Sequence, residues 1–171
     1  MLSTAIAAWA KSRKFGKASR AKAIFDQMKF LFSSGVIKSK PNIFIYTAVI
    51  NACAYTERDS IEQRDGLRIF VSMYKEMISD DSVVPNHVTF ITVLTALKNL
   101  LPADEKRANA VGTVFKNCTE LGVCNHSITK LLQSLLSTEQ LKELVGDDRV
   151  DDNGTVNNLK LPKEWTQNVK P

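Results

Sequence analysis

Hydrophobic residues recur along most of the chain at the spacing of one face of an α-helix. One stripe with the spacing i, i+3, i+4, i+7 consists of Tyr46, Val49, Ile50 and Cys53. The same spacing returns further along the chain at Phe90, Val93, Leu94 and Leu97. Because a helix with one apolar face has to bury that face against a partner, these stripes predict helices that pack on one another.

The stripes repeat with a nearly constant period. Copies of a first helix stand 44 residues apart, at Ile6, Ile50 and Leu94. Copies of a second helix stand 45 residues apart, at Phe25, Phe70 and Phe115. A period of this length indicates stacked supersecondary units. We therefore expect an all-α fold, a right-handed α-solenoid of stacked helix-turn-helix repeats, with the three phenylalanines in the core.

Proline and asparagine mark the boundaries between units. Pro41-Asn42 and Pro85-Asn86 precede the first helix of the next unit, and Asn125 stands at the third boundary without a proline. Proline ends the preceding helix, and asparagine caps the free N–H groups of the next one. The predicted units are residues 1–42, 43–86, 87–125 and 126–145, followed by an irregular acidic and polar tail, residues 146–171.

Two finer features also follow from the pattern. Polar connectors inside the hairpins are predicted at residues 11–17, 56–65 and 101–107. The tail has two interpretations, free disorder or docking on the last hairpin through Leu159, Leu161 and Trp165.

The composition is that of a globular chain, and its charge is uneven. The 171 residues are 44% hydrophobic and 24% charged, which excludes a disordered chain and two large domains. Residues 1–40 hold nine basic side chains against one acidic side chain, within a net charge of +5. Such a segment attracts polyanions, and its composition also fits an organelle transit peptide. No apolar run approaches the roughly 20 residues of a membrane-spanning helix.

Side chains suited to catalysis or metal binding are sparse. Three cysteines without a secretory signal pattern favour the reducing interior of a cell over a disulfide framework. Cys118, Cys124 and His126 lack a fourth zinc ligand. The chain also has no pattern for an activated nucleophile or a phosphate-cradling glycine loop. We expect neither enzyme activity, nor a metal, nor a cofactor.

The residues around each boundary resemble the pentatricopeptide repeat (PPR) family. The shared pattern is Pro-Asn, an aromatic, a small polar residue and an aliphatic pair, then a second helix with an aliphatic-Phe-x-x-Met core and a closing Gly-Val. The pattern is clearest from Pro41 to Met77 and from Pro85 to Asn125, where Gly122-Val123 closes the unit. With a partial first unit and a degenerate fourth, the resemblance covers residues 1–145.

The resemblance implies binding of single-stranded RNA in mitochondria or plastids, for RNA processing, stability or translation, with about one base read per repeat. In this family, the residue after the aromatic reads the base together with the last residue of the repeat. The implied pairs are Ser3 with Asn42, Thr47 with Asn86, and Ile91 with Asn125. The first two pairs imply a preference for adenine, whereas Ile91 offers no polar group. In the fourth unit the reading position falls on Thr129 or Lys130.

Two further kinds of RNA contact follow from the same resemblance. Phe44 and Val88 occupy the positions at which the family wedges apolar side chains between bases. Lys11 occupies a phosphate-contact position, and Arg13 and Lys14 lie beside it in the basic segment.

Other interpretations of these residues stay open. Ser3, Thr47 and the boundary asparagines are also explained as helix caps and exposed polar positions. A tetratricopeptide-like scaffold for protein partners consists of similar hairpins, although its Trp, Leu-Gly and Tyr pattern is missing here. The chain begins inside its first repeat, which suggests a truncated gene model or a fragment of a longer array. The oligomeric state is not indicated by the sequence.

Overall fold

The computed structural model describes residues 2–56 and 60–169. This part of the chain contains nine α-helices and no β-strand, which confirms the predicted all-α fold. The helices are α1 (Leu2–Lys11), α2 (Lys17–Ser33), α3 (Ile43–Ala54), α4 (Ser60–Ile78), α5 (His87–Leu100), α6 (Glu105–Glu120), α7 (His126–Gln133), α8 (Thr138–Val145) and α9 (Lys163–Thr166). Two 3₁₀ turns, Asp147–Arg149 and Asn158–Lys160, lie between α8 and α9.

The predicted apolar stripes form the buried faces of their helices. The α3 stripe is at most 2% exposed, and the α5 stripe is at most 3% exposed. Phe25, Phe70 and Phe115 are also buried, as predicted for core residues. Two connectors are shorter than predicted, because α4 begins at Ser60 and α6 at Glu105. In α6 the cause is a cap: Asp104 Oδ1 accepts the backbone N–H of Arg107 at 3.0 Å, so these polar residues form a helical turn.

The chain divides into two compact units, Met1–Pro85 and Asn86–Pro171. In the first unit, α1 packs against α2 and α3, and α4 packs against α2 and α3. Helices α2 and α3 also contact each other. The rings of Phe25 and Tyr46 meet edge to face, with centroids 4.9 Å apart, in the middle of this core. The first unit is thus built from two hairpins that bury their apolar faces together.

The second unit combines two further hairpins with the C-terminal tail. Helix α5 packs against α6 and α7, α7 contacts α8, and α9 packs against α6. In the last of these hairpins, Ile128 and Leu132 of α7 are fully enclosed. Ser137 caps α8, since its Oγ accepts the backbone N–H of Gln140 at 3.3 Å.

The tail is docked on the second unit. The Trp165 ring lies edge to face against Phe115, with centroids 5.4 Å apart, and Trp165 O accepts the backbone N–H of Cys124 at 2.8 Å. Leu161 is 9% exposed and packs inward, whereas Leu159 is 97% exposed, so the docking interpretation holds for Leu161 and Trp165 but not for Leu159. Leu159 lies in the 3₁₀ turn that carries Asn158, whose side chain is the one held against α7.

Candidate nucleic-acid interface

The candidate RNA-contacting residues of the first unit lie on α1 and α3, which pack side by side. Ser3 is exposed on the first turn of α1, and Asn42 is exposed at the start of α3. Phe44, the predicted wedge, is 74% exposed, which is unusual for a phenylalanine and leaves its ring open to a ligand. Thr47 is half-buried in α3. Ser3, Asn42 and Phe44 are thus accessible at the surface of the first unit.

The three boundary asparagines cap the helices that follow them. Asn42 Oδ1 accepts the backbone N–H of Ile45 at 3.3 Å, and Asn125 Oδ1 accepts that of Ile128 at 3.1 Å. Asn86 accepts the N–H of Thr89 at 3.0 Å, and the Thr89 hydroxyl oxygen accepts the Asn86 N–H at 3.4 Å. The cap interpretation is therefore correct for all three asparagines. Their carbonyl oxygens are used by the helix, and only the amide nitrogen remains to donate to a ligand.

The candidate residues of the second unit offer less polar surface. Val88 is 51% exposed, whereas Ile91 and Asn125 are half-buried. Thr129 is 1% exposed, and its hydroxyl donates to Asn158 Oδ1 in the tail at 2.8 Å. Of the two candidates in the fourth hairpin, Thr129 is thus already bonded within the protein, and Lys130 is exposed. Thr47 belongs to the first unit and Asn86 to the second.

The excess positive charge belongs to the first unit. Residues 1–85 contain thirteen basic and eight acidic side chains, whereas residues 86–171 contain ten of each. Several cations in the basic segment are neutralised by acids of the same unit: Lys22 pairs with Asp26, Lys29 with Glu76, and Lys40 with Asp80. Within residues 1–40, five exposed cations have no ion-pair partner among the described residues, namely Lys11, Arg13, Lys14, Arg20 and Lys38.

Three of the five unpaired cations surround one cleft. Lys11, Arg13 and Lys14 line a cleft of about 310 Å³ at the C-terminal end of α1. The same cleft is lined by Tyr55, which follows α3, so the C-terminal ends of α1 and α3 lie beside each other. A volume of this size is at the lower end of the range for ligand sites. The three candidate phosphate-contact residues, Lys11 from the resemblance and Arg13 and Lys14 beside it, are therefore gathered at one place.

The floor of the cleft is a buried polar cluster that sequence reasoning missed. Glu62, only 4% exposed, accepts the backbone N–H of Gly16 at 2.7 Å. Lys17, 6% exposed, donates to Ser12 O at 3.3 Å and lies 5.9 Å from the centre of the Tyr55 ring. A buried charge needs such partners to offset the loss of water. Glu62 is 46 residues from Gly16 along the chain, so no local pattern indicated the contact.

Other kinds of site receive no support from the described residues. In residues 2–56 and 60–169, no three His, Cys, Asp or Glu side chains are grouped as metal ligands. All three cysteines are buried and reduced, and burial raises the pKa of the Cys53 thiol to about 12. A thiol of that kind is a poor nucleophile at neutral pH. None of the described helices has both the length and the apolar character needed to cross a membrane.

Comparisons of the chain with protein-family models, with curated proteins and with solved structures found no match.

Proposed function

We propose that this protein is a single-stranded RNA-binding helical-repeat protein that acts in organellar RNA processing, stability or translation, in a mitochondrion or plastid. In this proposal the hairpins stack as a solenoid of the pentatricopeptide type. The observation that carries it is a set of unpaired cations around one cleft, Lys11 at the end of α1 and Arg13 and Lys14 in the loop after it. Helix α3, which ends beside the same cleft, carries the exposed Phe44. No catalytic or cofactor role is part of the proposal.

The cations supply the affinity of the proposed interaction. Phosphates of the strand displace counterions from Lys11, Arg13 and Lys14, so binding weakens as salt increases. A strand held in this way passes along α1 and α3, where Phe44 has an open ring face for contact with a base. Aromatic stacking of this kind tolerates any base and gives no sequence preference by itself.

Base preference is assigned to the first-unit pair, Ser3 and Asn42. Asn42 uses its carbonyl oxygen as the cap of α3, and its amide nitrogen is left to donate to an acceptor on a base. Ser3, exposed on the neighbouring helix α1, supplies a hydroxyl that both donates and accepts. The resemblance implies adenine as the preferred base at this pair.

The test is fluorescence anisotropy with labelled adenine-rich and uridine-rich single-stranded RNAs at several salt concentrations. The variant is Ser3→Ala with Asn42→Ser, because serine keeps the helix cap and removes only the amide. Ser19→Ala, at an exposed position of α2, is the matched control. We expect the wild type and the control to prefer the adenine-rich strand, and the double variant to lose that preference while keeping its salt dependence. Absence of RNA binding by the wild type at moderate salt would refute the proposal.

A protein-interaction scaffold is the second candidate function, and a groove in the second unit favours it. The groove, about 350 Å³, lies between α6 and α8 and is lined by Leu136 and Leu144 together with Glu105 and Glu143. Apolar and acidic side chains in one groove suit a peptide with apolar and basic residues. Leu144→Lys would abolish peptide binding and leave RNA binding unchanged, which separates the two candidates.

A further inference from the structure

We propose that the loop between α1 and α2 is an additional RNA contact in which the Phe15 ring stacks on a base while Arg13 and Lys14 bind the adjoining phosphates. This inference rests on the proposed function and adds to it the Phe15 ring, which lies outside the positions that the resemblance implies. The term stacking loop is used below for residues 12–16.

Phe15 is one of four exposed phenylalanines among the eight of the chain, and the other four are buried. Its exposed fraction is 67%, whereas Phe25, Phe70, Phe90 and Phe115 are at most 3% exposed. Leaving a phenylalanine in water forgoes the favourable free energy of burying its ring. The residues directly before Phe15 are Arg13 and Lys14, both exposed and without an ion-pair partner among the described residues. An aromatic ring is thus presented beside two uncompensated positive charges.

The stacking loop is fixed at both ends. On one side, the backbone N–H of Ser12 donates to Trp9 O at 3.0 Å, and Lys17 Nζ donates to Ser12 O at 3.3 Å. On the other side, Gly16 adopts a φ of +74°, a conformation that favours glycine, and its N–H is held by the buried Glu62. Because the ends are anchored, residues 13–15 lose their conformational entropy when the protein folds, and not when RNA binds.

The cleft beside the loop supplies room for the sugar-phosphate backbone. It is lined by Lys11, Arg13 and Lys14, and Tyr55, 55% exposed, forms part of its wall. The carboxylate of Glu62 also lines the cleft, but it is engaged by the Gly16 N–H and is nearly fully buried. The cations therefore dominate the part of the cleft that a ligand reaches.

A positively charged groove with an aromatic ring at its edge is the combination by which proteins hold single-stranded nucleic acid. An anionic membrane is the competing partner for a basic and aromatic surface. Membrane-surface binding relies on a continuous apolar face of a helix, whereas the stacking loop presents one exposed ring next in the chain to two cations that line a cleft. Single-stranded RNA is thus the better fit.

The experiment uses the full chain and a single-stranded RNA that carries the fluorescent base analogue 2-aminopurine. Phe15→Ala is compared with Phe30→Ala, because Phe30 is similarly exposed, at 69%, but lies on α2 away from the cleft. We expect Phe15→Ala to weaken binding about 5- to 100-fold, the range for loss of one stacked base, and to lose the fluorescence change of the analogue. Phe15→Trp should retain both, and Phe30→Ala should match the wild type.

Salt dependence separates stacking from charge. Phe15→Ala should leave the slope of log affinity against log salt unchanged, whereas Lys14→Ala should reduce that slope by about one. If the wild type binds RNA, and Phe15→Ala and Phe30→Ala both match its affinity and its 2-aminopurine fluorescence change, only the stacking loop is overturned. Absence of RNA binding by the wild type would overturn the proposed function and this site together. Binding to equimolar phosphatidylserine and phosphatidylcholine vesicles that requires Phe15, with RNA binding independent of it, would assign the loop to a membrane instead.

Discussion

The backbone N–H of Gly16 donates to Oε1 of Glu62 over 2.7 Å, and this bond joins the loop of the first hairpin to the first turn of α4 in the second. Gly16 has no side chain with which to cap α2, and the carboxylate of Glu62 lies at the N-terminal end of that helix instead. A negative charge there also interacts favourably with the helix dipole. One acid thus fixes the loop, the start of α2 and the floor of the cleft.

Replacement of Glu62 should destabilise the protein measurably. Glu62→Ala removes a buried charged acceptor and leaves the Gly16 N–H unpaired, so we expect a loss of about 1–3 kcal/mol in the free energy of unfolding. Glu62→Gln keeps an oxygen acceptor and should cost less. Urea unfolding followed by circular dichroism measures both effects. Glu143→Ala, at an exposed acid of α8, is the control and should change stability by no more than about 0.5 kcal/mol.

The features predicted correctly from the sequence depend on neighbours along the chain. The stripe of α3 follows from the helical period, and its cap follows from Asn42, three residues before the N–H that it accepts. Both depend on residues within two or three helical turns, so a single sequence carries the information. The start of α6 differs from the prediction, which places residues 101–107 in a connector. The cap at Asp104 lies inside a polar segment that has no apolar periodicity, so the periodicity does not indicate this first turn.

The sequence does not predict which cations of the basic segment stay free, because the acids that neutralise the other cations are distant in the chain. Lys29 and Lys40 belong to the basic segment, but they are neutralised by Glu76 and Asp80, 47 and 40 residues away. The tertiary fold therefore decides which charges remain for a ligand. The same holds for Phe15, whose exposure depends on how the loop is anchored by Glu62.

The ion pair between Lys40 and Asp80 should make stability depend on pH in the acid range. Lys40 Nζ lies 2.8 Å from Asp80 Oδ2, and the Ser82 hydroxyl donates to Oδ1 at 2.6 Å. The hydrogen bonds from Lys40 and Ser82 lower the pKa of Asp80 from 3.8 to about 2. Since the folded-state value is the lower one, the stabilisation is present above pH 3.8 and is lost as pH falls through about 2.

The variant Asp80→Asn should remove that acid dependence. We expect it to lower stability at neutral pH by about 1 kcal/mol or less, the usual size for a partly exposed ion pair, and to approach the wild type near pH 2. Asp81→Asn, at the exposed neighbouring acid, is the control and should keep the wild-type profile. Urea unfolding at a series of pH values measures the difference, and parallel curves for the wild type and Asp80→Asn would contradict the assignment.

Tyr46 should make the stability of the protein fall as pH rises in the alkaline range. Its hydroxyl donates to Glu76 Oε1 at 3.1 Å, and its ring is 2% exposed. Burial, followed by the charge of Glu76, raises the pKa of Tyr46 above its usual value of 10.0. The folded state therefore keeps a proton that the unfolded chain releases, and this stabilisation is complete below pH 10 and is lost as pH rises beyond it.

Comparison of the wild type with Tyr46→Phe separates the titration of the Tyr46 hydroxyl from that of other side chains that titrate at alkaline pH. At pH 7 the variant should be less stable by about 1 kcal/mol, because a hydrogen bond to a partly buried carboxylate is lost. Above pH 10 the wild type should lose stability faster than the variant, by at most about 1.4 kcal/mol per pH unit, so the two curves converge. Tyrosinate absorbance of the folded protein just above pH 10 should be equal in both, since Tyr46 remains protonated there.

Two glycines of the second unit should respond to alanine in opposite directions. Gly122 has a φ of +67°, and a Cβ added there would lie 2.9 Å from the backbone oxygen of Glu164 and 2.9 Å from Cγ of Gln167. Gly112 lies within α6, where an added Cβ would meet Leu144 Cδ1 at an ordinary 3.8 Å. Alanine is strained at the first position and favoured over glycine at the second.

We therefore expect Gly122→Ala to destabilise the protein by at least about 1–2 kcal/mol and to loosen the tail, and Gly112→Ala to stabilise it by about 0.5–1 kcal/mol. Urea unfolding gives the two free energies.

Tail docking is read from Trp165 fluorescence in a Trp9→Phe background, where Trp165 is the remaining tryptophan. In that background Gly122→Ala should move the Trp165 emission toward that of solvent-exposed indole, because Asn168 N–H and Cys124 N–H hold the tail at this corner. Changes of the same sign in both alanine variants would show that the tail does not pack against Gly122 as described.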